Sequence, residues 1–143
     1  MSKKTVFGNG CDDIRSFEET SEAVLEEKKQ ADHVMKLKPA PFAAIQGGKK
    51  TLELRLNDEK RQKIKAGDTI VFTQTETGEI LHAVVLDIRK YPDFEAMYWV
   101  EDPIAMGYRE GETADPKDMS QFYKEDEIKK YGTLAIEIKK IEA

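Results

Sequence analysis

A chain of 143 residues with 39% hydrophobic side chains can bury one core, so a single domain with an appendage is the expected organisation. No run approaches the roughly 18 apolar residues that span a bilayer, and the N-terminus lacks the apolar centre of a secretory signal, so a cytoplasmic protein with no membrane partner is expected. One cysteine, Cys11, allows no internal disulfide, and His33 and His82 stand too far apart for a zinc pattern, so no metal or other cofactor is expected.

The net charge of −5 is unevenly spread. Residues 11–32 carry eight acidic and three basic side chains, residues 36–65 carry nine basic and three acidic, and residues 93–127 carry eleven acidic and three basic. A basic segment in an acidic protein can steer a phosphate-bearing ligand towards one face.

Residues 1–15 have few apolar anchors, which predicts a mobile start. Over 16–31, Ser16 and Glu19 fit a capping box, and the sparse apolar positions predict an acidic surface helix able to contact a protein partner. "HVMKLKP" (33–39) reads as a strand stopped by Pro39, and the next residues as a short helix with Phe42 and Ile45 inward, ended by Gly47 and Gly48. "TLELRL" (51–56) then alternates: Leu52, Leu54 and Leu56 fall on one face, and Thr51, Glu53 and Arg55 on the other. If that second face meets a cavity, its two charges form a binding site.

A polar connection containing Lys60, Arg61, Lys63 and Lys65 leads to the strand "TIVFTQ". The turn "TETGE" predicts an antiparallel hairpin with residues 80–91. A helix over 92–101 is predicted with Phe94, Met97 and Tyr98 at core spacing and Trp99 packed beside them. After a Gly-rich loop, one helix is predicted from Asp115 to Gly132 with Met119, Phe122 and Tyr123 inward, and residues 133–141 form a last strand. Strands interrupted by short helices, without a regular strand–helix rhythm, predict an α+β fold built on a small β-barrel, with its chemistry at a mouth walled partly by the basic segment.

Other motifs fail. "GGKKT" lacks the first glycine and the final Ser or Thr of a phosphate-cradling loop, "FGNGC" is no dinucleotide fingerprint, and nothing in the sequence assembles a catalytic triad.

The pattern Gly48-x-Lys50-x-x-Glu53-x-Arg55 resembles the signature of the ASCH domain family. So do its surroundings, namely the strand and "PF" before it, "GD" and an apolar strand after it, and a late "YG" before the last strand. The resemblance covers residues 33 to about 141, which sets off residues 1–32 as an N-terminal helical extension and 33–143 as the domain. It implies a PUA-like β-barrel whose cleft, lined by Gly48, Lys50, Glu53 and Arg55, binds RNA, a nucleobase or a nucleotide. Some relatives are small amidohydrolases that remove an acyl group from the N4 amine of cytidine with a lysine, a threonine and a glutamate. Lys50 stands where they have the lysine, Glu53 where they have the threonine, and Glu110 roughly where they have the glutamate.

The side chains suggest their own chemistry. Arg55 offers a planar donor fork to a phosphate or a base, and Glu53 accepts from an amine or holds Arg55. Lys50, desolvated and close to Arg55, is a candidate general base, with Thr51 as nucleophile or a water activated by Glu53. Tyr91, Tyr98, Trp99 and Tyr108 are candidates for base stacking, and Tyr108, in the loop, is preferred because Tyr98 and Trp99 fall in the predicted core helix. Binding of RNA, a nucleobase or a nucleotide is therefore the leading expectation. Deacylation of N4-acetylcytidine-like substrates comes second, and a protein-interaction module using residues 16–31 third.

Overall fold

The structure is a computed structural model that describes residues 31–141. Cys11, the expected mobile start and the acidic helix, up to its last residue, lie outside the described residues.

Strand β1 (His33–Leu37) gives way to helix α1 (Pro39–Gln46), where a proline sits at the helix start and its missing N–H costs nothing. Phe42 and Ile45 point inward and Gly48 adopts φ 81°, a turn that side chains resist. Strand β2 (Leu52–Leu56) follows, then β3 (Thr69–Gln74) and β4 (Ile80–Tyr91), paired antiparallel as the hairpin the turn signal predicts. Helix α2 (Phe94–Val100) is capped by Asp93, which accepts from Ala96 N, and the single-turn α3 (Pro103–Met106) is capped by Asp102. Helix α4 (Glu125–Tyr131) and strand β5 (Thr133–Ile141) end the domain.

The five strands form one mixed sheet in the order β1-β3-β4-β5-β2, with β1 parallel to β3 and the other pairs antiparallel. β1 and β2 are its edges, yet Arg55 Nη2 on β2 donates to the Lys36 carbonyl on β1 at 2.9 Å. The sheet therefore curls until its edges come within one side chain's reach, a half-barrel with a seam.

Register explains what each face of β2 meets. Opposed residues of an antiparallel pair share a face, so Glu53 opposite Ile136 and Arg55 opposite Leu134 look into the main core of Phe72, Ile70, Val85 and the α1 anchors. Leu54 opposite Ala135 joins the second core, where Leu52 and Leu56 meet Phe94, Met97 and Met106 of α2 and α3. The strand is covered on both sides.

Two expectations are corrected. The helix predicted from Asp115 to Gly132 is a 3-10 helix (Pro116–Gln121) followed by α4, broken at Phe122–Lys124. Asp115 caps the first turn, Met119 O accepts from both Phe122 N and Tyr123 N, and Glu127 caps the next start at Lys124 N. The break turns Phe122 outward, 52% exposed, instead of inward. Trp99 is 86% exposed and packs on no core.

The α2–α3 turn is tied to the sheet through Glu101, whose carboxylate accepts from Arg89 Nε (2.6 Å), Arg89 Nη2 (3.0 Å) and Tyr91 OH (2.6 Å). Arg89 holds the Glu101 carboxyl below its ordinary pKa of 4.5, against the opposing effect of burial. Its stabilisation is therefore present above that ordinary value and lost as pH falls through the lower folded value. Glu101→Gln is expected to cost about 2 kcal/mol at pH 7 in urea denaturation, and the difference from wild type should shrink as the pH drops through that window.

Candidate functional site

Three buried charges meet at the seam. Lys50 and Glu53 are only 7% and 5% exposed. Glu53 Oε2 accepts from Arg55 Nε at 2.7 Å, and Oε1 lies 3.6 Å from Lys50 Nζ. Lys50 Nζ also donates to the carbonyls of Leu52 (2.6 Å) and Met106 (2.9 Å), so two of its hydrogens are bonded and Glu53 adds an ion pair without a third hydrogen bond. Burial lowers the Lys50 pKa, with Glu53 pulling the other way. For Arg55, burial is the largest single effect, yet Glu53, Tyr123 and Asp58 together outweigh it and hold the pKa above the ordinary value.

This group is the floor of a cleft of about 560 Å³. Its walls include Tyr98, Tyr108 and Tyr123, and Lys36, Lys38 and Asp118 also line it. Tyr108 OH lies 3.0 Å from Tyr98 OH and donates to Asp118 Oδ2 at 2.6 Å, so α2, the loop after α3 and the 3-10 helix are joined across the opening. Tyr123 stacks on Phe94 with centroids 5.7 Å apart. Burial raises the pKa of all three phenols, assisted at Tyr108 by Asp118.

Lys50, Glu53, Arg55 and Tyr108 are thus brought together, and the other expected site residues are not. Thr51 and Gly48 line a separate cavity of about 480 Å³ that Lys50 also borders. The Thr51 backbone is fixed by bonds to Ala105 O and from Ile138 N, because β2 starts one residue later and the alternation that seats Glu53 does not extend back to Thr51. Glu110 is exposed and not among the cleft residues. The basic wall is narrower than the sequence suggests: Lys36, Lys38, Lys50 and Arg55 contribute, while Lys60, Lys63 and Lys65 do not and Arg61 pairs with Asp58 at 3.1 Å. Among the described residues no group of His, Cys, Asp and Glu could hold a metal, and no helix is long and apolar enough to cross a membrane.

Tyr98, a stacking candidate set aside as packing in the sequence, lines the cleft, since core spacing and cleft spacing coincide on α2. Tyr123, expected only as packing, lines it too. The signal for Tyr123 was its place within the break, which no periodicity reveals.

Chemically, Glu53 is committed to Arg55 through Oε2 and faces Lys50 through Oε1, and Lys50 Nζ is committed to two backbone carbonyls. Arg55 differs, because its Nη1 has no acceptor among the described residues. Gly107 keeps the Lys50 channel open: it sits at φ 115°, and a Cβ there would come within 3.3 Å of Lys50 Cδ. Gly107→Ala is expected to cost about 1–2 kcal/mol in denaturant unfolding and to weaken ligand binding by displacing the lysine.

The profile of the ASCH domain family matches residues 35–142. Among solved structures, the chain is similar to the hypothetical protein PH0355 (37% identity, TM-score 0.65, covering 76% of this chain and 98% of that one). It is also similar to protein PF0455 from Pyrococcus furiosus (35% identity, TM-score 0.57, 77% and 97% covered). The ASCH protein from Zymomonas mobilis shares the fold at 17% identity (TM-score 0.51, 76% and 68% covered). Among curated proteins none matches. With a profile spanning most of its length and relatives matched almost end to end, the chain belongs to the ASCH domain family.

Proposed function

We propose that the cleft binds a nucleotide unit, free or within single-stranded RNA. The observation that carries this reading is the Arg55 guanidinium, held on the cleft floor by Glu53 and the Lys36 carbonyl with donor capacity to spare. A fork fixed in this way needs no reordering before it meets a phosphate or a base edge. Three tyrosines around it supply flat apolar surface, and stacking on such rings is worth roughly 1–3 kcal/mol per base. The volume lies within the roughly 300–1,000 Å³ of small-molecule sites. The chain's net charge of −5 disfavours indiscriminate nucleic-acid binding and favours recognition at one local site.

Calorimetry with cytidine 5′-monophosphate and anisotropy with a short single-stranded RNA test the reading. Saturable binding is expected, weakening as salt rises and dropping roughly tenfold in Tyr108→Ala. Failure of both probes to bind at millimolar concentration, or salt-independent binding untouched by that substitution, would contradict it. Deacylation is the weaker reading, because Thr51 borders the other cavity and Glu110 is outside the cleft. Acetate release from N4-acetylcytidine by wild type and not by Lys50→Ala would reverse that order.

A further inference from the structure

We infer that the cleft floor takes an anionic oxygen group of its ligand, a phosphate or a carboxylate, and discriminates against neutral nucleosides. The inference rests on the nucleotide reading only for what the anion is attached to.

Two features of the floor lead there. The first is charge. Lys50 and Arg55 bring two positive charges and Glu53 one negative, which leaves an excess of one positive charge on buried groups. Of the nearby carboxylates, Asp58 is paired with Arg61 at 3.1 Å, and Asp118, which lines the cleft, keeps its negative charge while accepting from the neutral Tyr108 hydroxyl at 2.6 Å. Lys38, which also lines the cleft, sets a positive charge against that of Asp118 and leaves the surplus in place. A buried excess charge is costly until a counter-charge joins it.

The second feature is hydrogen-bond polarity. Glu53 Oε2 is taken by Arg55 Nε and Oε1 faces Lys50 at 3.6 Å, while Lys50 donates to two backbone carbonyls. What remains is donors: Nη1 of Arg55 has two hydrogens and Nη2 has one beyond that given to Lys36 O. An exocyclic amine or amide N–H set against the Arg55 Nη atoms would meet donors there, whereas an oxyanion accepts from the guanidinium in the two-pronged geometry that arginine favours. The acceptor edge of a neutral base would satisfy the hydrogen bonds but leave the excess charge unmatched.

The test compares three probes on the full chain by calorimetry at constant ionic strength, with chloride as the balancing ion: cytidine, cytidine 5′-monophosphate and inorganic phosphate. The monophosphate is expected to bind at least about tenfold more tightly than cytidine, the gain typical of a charge-assisted bond, and Arg55→Gln should erase the preference. Phosphate and acetate should each displace the monophosphate from wild type, an arm that needs no variant to fold. Equal affinities for cytidine and its monophosphate would overturn the inference while leaving the nucleotide reading intact. Arg55-dependent phosphate binding with no nucleotide binding would uphold the inference and remove that reading. Silence from all three probes would remove both.

Discussion

Glu53→Ala is expected to destabilise the protein by about 3–5 kcal/mol, because it strands two buried cations that share one carboxylate. For a domain of this size that is a fall in Tm on the order of 10 °C. The loss is not the worth of the ion pairs, which desolvation largely offsets. It is the cost of leaving Lys50 and Arg55 positive and unmatched in the interior. Two accompanying results follow from that distinction. Adding Arg55→Leu to Glu53→Ala should restore part of the stability by removing the surplus charge, and exchanging chloride for phosphate should stabilise Glu53→Ala more than wild type. Urea denaturation of the three proteins in both salts reads all of this. A single variant within about 1 kcal/mol of wild type would mean that water reaches these charges and that the floor is not a desolvated site.

The second large effect concerns ligand affinity. Arg55→Ala is expected to weaken binding of cytidine 5′-monophosphate by about 2–5 kcal/mol, at least thirtyfold in Kd. It should do so with less loss of stability than Glu53→Ala, since Glu53 retains Lys50 at 3.6 Å. Arg55→Lys should recover only a fraction, because an ammonium keeps the charge but not the fork that joins Glu53, the Lys36 carbonyl and the ligand. Affinity should also have an alkaline limb. Burial lowers the Lys50 pKa from its ordinary 10.5 while that of Arg55 is raised, so rising pH discharges Lys50 first. Once Lys50 is neutral, Glu53 balances Arg55 alone and the attraction for an anion falls. The decline should lie below pH 10.5, the ordinary lysine value.

The strand that organises the site was legible for a simple reason. A two-residue period with leucines on one face leaves Glu53 and Arg55 on the other, and the question of whether that face meets water is answered by the register with β5, which seats them opposite Ile136 and Leu134 of the core. The hairpin, the proline start of α1 and the inward Phe42 and Ile45 were legible because each rests on local chemistry: turn residues, a missing N–H, helical spacing. The walls were not. Tyr98, Tyr108 and Asp118 meet across ten-residue separations through loops whose paths depend on tertiary contacts, and Tyr123 reaches the cleft because a helix breaks where its composition favours continuing. Trp99 comes two residues after Met97, on the side of α2 away from the face that Phe94 and Met97 bury, so its exposure follows from the helical period itself. Thr51 shows the limit of the alternation argument: one residue before a strand begins, the rule no longer assigns a face.

The central claim is that the guanidinium on the seam meets the ligand directly. Nitrogen NMR of the Arg55 side chain in the full protein, followed through a titration with cytidine 5′-monophosphate, tests it most closely. The account predicts that the Arg55 Nη signals shift and their hydrogen exchange slows in step with saturation, while the Arg89 signals, held by Glu101 away from the cleft, stay in place. Saturation of the protein with the Arg55 signals unmoved would contradict it.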